Sequence, residues 1–214
     1  HHEAPISLMF EISDRRNDSA QLMEFLQYLK SVNGRMIGFN TLGFDYPVLH
    51  QFIKMGKSDA FTLYQKAQSI FEAQDEDRWT HQVYPSDRFI EQIDLFKIHH
   101  FDNKARATSL KSLEFNMRSR TIEDLPYAPG SSLQSSQIDT LRRYNLHDVK
   151  QTKLFYARSL DMIRFREKLC TMYGRDFMNH NDTKIGKDYF IMKLEEAGVE
   201  CYEYGRNGRT PKQT

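Results

Sequence analysis

Cysteine is scarce in this 214-residue chain, with Cys170 and Cys201 the only two. They form neither a paired metal-ligand spacing nor a disulfide framework, and read as free thiols in a reducing cytoplasm. Missing too is any apolar run near the ~18 residues that a membrane span needs, and no secretory leader is visible. Charge of one sign is not in excess. Thirty Lys and Arg face twenty-nine Asp and Glu, a formal charge of +1, so any surface for a polyanion has to be local. No internal repeat is present. These absences exclude a disulfide scaffold, a cysteine zinc module, a membrane-spanning helix bundle and a repeat array. What remains is long enough to bury a substantial core.

The apolar pattern alternates between strand-like and helical stretches. Ile6–Ile12 reads as a strand, and Asp18 with Gln21 as the capping start of a helix carrying Leu22, Phe25, Leu26 and Leu29 toward a core, with Gly34 as its stop. Met36–Phe39 reads as a short buried strand. A second helix follows with Pro47 in its first turn and Val48, Leu49, Phe52 and Ile53 inward. Phe61, Tyr64, Ile70 and Phe71 mark a third helix, ended by the charged run 75–78. Phe89–Ile98 reads as the next strand, and Ser109 as the cap of a short helix with Leu110, Leu113 and Met117. Leu125–Ser136 is a Pro/Gly/Ser loop. Beyond it a long helical pattern runs, with a bend, to about Met172. Asp182 or Thr183 opens a last helix through Leu194, stopped at Gly198, and Val199–Tyr204 has strand character. Strands interleaved with helices predict an α/β layered architecture.

Two stretches carry chemistry. Gly38-Phe-Asn-Thr-Leu-Gly-Phe-Asp-Tyr-Pro-Val-Leu49 leaves Asp45 where a turn meets a helix start. Tyr144-Asn-Leu-His-Asp148 sets a phenol and a carboxylate four apart on one helix face. Together they resemble the second and third motifs of the DEDD superfamily of 3′–5′ exonucleases. Arg143 stands where the histidine branch has its histidine, so the similarity is to the tyrosine branch, which includes the proofreading domains of family B DNA polymerases and related phage nucleases. The resemblance covers most of residues 5–165.

That resemblance implies an RNase H-like fold with a central mixed sheet flanked by helices. It implies DNA hydrolysis at single-stranded 3′ ends through two Mg²⁺ or Mn²⁺ ions, a chemistry that activates water and neutralises the phosphoryl and leaving oxygens. It assigns Asp45 and Asp148 as metal ligands, with Tyr144 orienting the attacking water. Asn40 is assigned to the terminal nucleotide and Phe44 to its base. Plainer readings stand beside these: Asn40 as a turn former, Phe44 as core, Asp45 as a helix N-cap, and Tyr144–Asp148 as a buried tyrosine beside a surface acid. Asp94, mid-strand, is read as structural or supporting. His99, His100 and His147 are read as exposed or hydrogen-bonded rather than as a transition-metal cluster.

The first DEDD motif, Asp-x-Glu, occurs nowhere in the 214 residues. The expected organisation is therefore an N-terminally incomplete exonuclease domain over 1–170 and a helical extension over 171–214 leading to a further region. The expected setting is phage-encoded, in the host cytoplasm, with a polymerase domain or other replication proteins as possible associates. Two basic stretches, Lys104–Arg120 and Tyr204–Thr214, are candidate phosphate contacts or plain solvated faces. The competing expectation is a non-catalytic nucleic-acid-binding or scaffold module on the same fold.

Overall fold

A computed structural model describes residues 7–76, 80–100, 108–128, 130–205 and 208–211, without the side chains of 74–76, 204, 205 and 208–210. The fold is α/β and mostly helical. The chain divides into two compact units, His1–Leu95 with Thr108–Arg158, and Phe96–Ala107 with Ser159–Thr214.

In the first unit, α1 (Ser19–Ser31) leads into β1 (Arg35–Gly38), and α2 (Asp45–Met55) and α3 (Ala60–Glu76) follow. Strand β2 (Glu91–Asp94) pairs in parallel with β1, placing Gly38 opposite Asp94 at the carboxyl ends of both. A short 3-10 turn, Pro85–Asp87, precedes β2, and α4 (Leu95–His99), which from Phe96 on belongs to the second unit, follows it directly. Helices α5 (Leu110–Asn116) and α6 (Ser135–Arg158) complete the unit. The core gathers Leu26 of α1, Phe52 of α2 and Ile90, with Leu22, Leu29, Leu49 and Ile53 packed against them. These are the positions that helical spacing picks out.

The second unit holds α7 (Leu160–Tyr173), α8 (Asp182–Glu196) and the antiparallel pair β3 (Tyr202–Gly205) and β4 (Gly208–Pro211). Arg166 is fully buried there and donates to the carbonyls of Met162, His180 and Ile98 and to Asp182. Those acceptors take up a charge that would be prohibitive alone. Asn181 caps α8 by accepting from the Lys184 amide at 2.9 Å, and α7 ends at Gly174, whose φ of 61° suits a residue without a Cβ.

Several expectations change. Residues 7–12 form no strand, and only an isolated bridge joins Ile12 to Asn17; an apolar run needs a neighbour to become a ladder, and none is present among the described residues. Asp18 stands at the start of α1 without capping it, because its carboxylate accepts from the Glu11 amide at 2.9 Å and Arg16 at 2.7 Å instead. The strand expected over Phe89–Ile98 stops at Asp94 and turns helical, since its partner β1 is only four residues long. Ser109 does cap α5, accepting from the Ser112 amide at 3.1 Å. The long helical pattern is interrupted at Ser159, between α6 and α7. His1, His2, Ile6, Asp77, Arg78, Lys104, Arg106, Arg206, Lys212 and the side chain of Arg209 lie outside the described residues. No helix among the described residues is long and apolar enough to cross a membrane.

Candidate functional site

The turn after β1 is built around Asp94. This aspartate is 0% exposed, and its Oδ1 accepts from the Asn40 amide at 2.8 Å while Oδ2 accepts from the Leu42 amide at 2.9 Å. A carboxylate holding two backbone donors satisfies both oxygens and fixes the chain between them. Asn40 takes a left-handed φ of 58°, which asparagine tolerates well. Its side chain lies so close over Gly43 that a Cβ there would meet Asn40 Oδ1 at 2.5 Å. Gly38 is equally constrained, because a Cβ would meet Thr41 Cγ2 at 2.1 Å. Asn40 and both glycines are thus explained by the turn itself. Behind the turn, Tyr46 is buried and its hydroxyl accepts from the Phe89 amide at 2.8 Å. That bond ties the first turn of α2 to the approach of β2.

Asp45, the first residue of α2, stands in the wall of a cavity of about 590 Å³ shared with Phe44, Leu49, Met36, Phe10 and Asn145. The side chain keeps solvent access, yet the protein packed around its carboxyl raises its pKa to about 6, with the charge of Asp94 adding to the effect and its backbone bond opposing it. Phe44 rather than Asp45 occupies the N-cap position of α2, without a side-chain cap bond. The Phe44 ring meets that of Phe71 at 4.8 Å between centroids while also bordering the cavity, so it packs as well as lines.

On α6, Tyr144 stands one helical turn before Asp148, and the two side chains bear on each other's ionisation. Desolvation and the neighbouring aspartate push the phenol up to about 12, which keeps it a donor. Asp148 is half-buried, and desolvation raises its pKa; the Tyr144 hydroxyl works against this, and the charge of Glu114 works with it. Glu114 comes from α5, is 0% exposed and meets His147 Nε2 at 3.1 Å. Ligand atoms of Glu114, His147 and Asp148 all lie within 4.8 Å of one another, so this cluster is able to hold a metal ion. Ser119 to Gln151 at 2.8 Å and Arg158 to the Met117 carbonyl at 3.0 Å pin the end of α5 to α6 beside it.

The structure thus brings Tyr144 and Asp148 together with Glu114 and His147. Among the described residues Asp45 is not in that donor group; the charge that bears on it is Asp94. Glu11, a buried acid outside that group, is held by Arg15 at 2.7 Å, Ser13 at 2.7 Å and Arg142 at 3.4 Å. Those partners lower its pKa to about 2, and leave it committed to structure. His147 and His99 are both hydrogen-bonded, the latter to Ser159 Oγ at 3.0 Å. Lys111 pairs with Asp124. Sequence reasoning missed Glu114. The available signal was its spacing, since Leu110, Glu114 and Met117 fall on one helical stripe; the acid is buried there while neighbouring Phe115 is 73% exposed.

No family model matches this chain, and no curated protein or solved structure matches it significantly.

Proposed function

We propose that this chain is the core of a metal-dependent 3′–5′ exonuclease acting on DNA, with its two-stranded sheet and flanking helices belonging to an RNase H-like fold. The observation that carries this reading is the Tyr144–Asp148 pair on one face of α6, in which a phenol held protonated stands beside a half-buried carboxylate. Asp45 supports it from the carboxyl end of a parallel strand pair, the usual place for ligands in open α/β sheets. The cavity beside it is of a size that small ligands occupy.

The donor set fits hard divalent cations: Asp45 and Asp148 offer oxygen ligands, and both are pushed toward the protonated form that a bound cation would reverse. Bound Mg²⁺ or Mn²⁺ would supply charge neutralisation and an activated water. Tyr144 would direct that water by hydrogen bonding, Phe44 would shelter a terminal base, and Asn40 would hold the turn that aims Asp45. The reading requires two further carboxylates, those of an Asp-x-Glu, which the 214 residues do not contain.

The test compares these 214 residues with a chain that also carries an Asp-x-Glu strand, using a 5′-labelled single-stranded oligonucleotide. The longer chain is expected to release mononucleotides from the 3′ end with Mg²⁺ or Mn²⁺ and to stop in EDTA, with the 214 residues nearly inactive. In the active form Asp45→Asn and Asp148→Asn should nearly abolish turnover, and Tyr144→Phe should leave weak activity. Degradation from the 5′ end, or activity that persists in EDTA, contradicts the reading. DNA binding without cleavage in both chains would favour the non-catalytic module instead.

A further inference from the structure

Glu114 is unexplained by the nuclease reading. It is fully buried, its Oε2 meets His147, and its Oε1 has no hydrogen-bond partner. An acid drawn out of water by an amphipathic helix, with one oxygen unused and facing an imidazole and a second carboxylate, has the surroundings of a ligand.

We propose that Glu114, His147 and Asp148 form a binding site for one divalent transition cation, Zn²⁺ or Mn²⁺, in preference to Mg²⁺. The ligand chemistry sets the preference: one imidazole nitrogen with two carboxylates suits Zn²⁺ and Mn²⁺, whereas Mg²⁺ takes oxygen almost alone. Geometry agrees. Two ligands about 2.0–2.1 Å from a tetrahedral cation lie roughly 3.3 Å apart, and His147 Nε2 and Glu114 Oε2 are already at 3.1 Å. The remaining separations, up to 4.8 Å, close by carboxylate rotation of Asp148 at the half-open side.

An outer partner is also in place. Glu123 Oε1 lies 3.6 Å from His147 Nδ1, on the ring nitrogen that would not ligate. For the cation to bind, the imidazole proton moves from Nε2 to Nδ1, and the Nδ1–H would donate to the Glu123 carboxylate once that side chain closes in from 3.6 Å, the arrangement that commonly orients metal-bound histidines. The cation would join α5 to α6 one helical turn from Tyr144. The site shares Asp148 with the nuclease reading but uses neither Asp45 nor an Asp-x-Glu, so His147→Gln, Glu114→Gln and Asp45→Asn tell the two apart.

The test measures Zn²⁺, Mn²⁺ and Mg²⁺ binding to the 214-residue chain by calorimetry, with ¹⁵N shifts of the His147 ring as the local readout. One equivalent of Zn²⁺ is expected to bind more tightly than Mg²⁺ and to shift the ring nitrogens. His147→Gln and Glu114→Gln should each remove that equivalent, Glu123→Gln should weaken it about tenfold, and Asp45→Asn should leave it unchanged. Asp148→Asn, at a half-exposed position, provides the same loss in a variant whose folding is not at stake. Ring shifts indifferent to Zn²⁺, or an equivalent retained in both His147→Gln and Asp148→Asn, overturn the proposal. So does a His147 ring protonated on both nitrogens, bridging Glu114 and Glu123, that Zn²⁺ fails to displace.

Discussion

Two fully buried acids of the first unit, Asp94 at the end of β2 and Glu114 on α5, have opposite fates. Each oxygen of Asp94 accepts a backbone amide, from Asn40 and from Leu42. Glu114 meets one imidazole and leaves its second oxygen without a donor. Asp94 therefore holds the turn preceding Asp45 together, whereas Glu114 has one oxygen whose desolvation no hydrogen bond among the described residues offsets. The difference teaches that burial alone does not tell a structural acid from a binding one; the count of satisfied oxygens does.

The largest expected effect breaks the satisfied side. Asp94→Ala leaves two part-buried amides without their acceptor and removes two charge-assisted bonds of about 1.5–3 kcal/mol each, so urea unfolding should show a loss of roughly 3–6 kcal/mol. Glu114→Gln without added metal should, by contrast, change stability by less than about 1 kcal/mol, because glutamine keeps the shape and a polar contact to His147 where the acid has only one oxygen paired. Comparable losses in the two variants would erase the distinction.

Smaller effects concern pH. The raised pKa of Asp45, about 6 against an ordinary 3.8, means that the folded state holds a proton that the unfolded state gives up. Its contribution to stability is full below pH 3.8 and lost as pH rises through about 6. Asp45→Asn should flatten that decline and unfold at a higher temperature than the parent at pH 8. Glu11 has the opposite sign. Its pKa near 2 against 4.5 gives stability that is present above pH 4.5 and fades as pH falls toward 2, so Glu11→Gln should show a shallower acid loss in a pH series of thermal melts. Because arginines rather than apolar bulk cover Glu11, added salt should shrink that effect.

Much of the helical framework was legible because burial and the 3.6-residue period are written in the same residues. Leu22, Leu26 and Leu29 on α1, and Leu49, Phe52 and Ile53 on α2, face the core as their spacing predicts. Ser109 at the start of α5 was equally readable, since a hydroxyl before a helix has a local partner. Strands were less so. Phe89–Ile98 has the composition of a long strand, but a strand extends only as far as its partner, and β1 ends at Gly38.

The sequence by itself determined the α/β alternation, the turn at Asn40–Phe44, and the Tyr144–Asp148 pair, because each depends on residues a few positions apart whose backbone geometry and helical spacing are local. Tertiary structure alone decided that Asp94 closes the Asn40 turn across 54 residues, that Glu11 is spent on Arg15 and Arg142, and that Glu114 meets His147 across 33. Those outcomes depend on which donors packing carries to a given carboxylate, and a chain's local pattern holds no record of the partner that arrives from elsewhere.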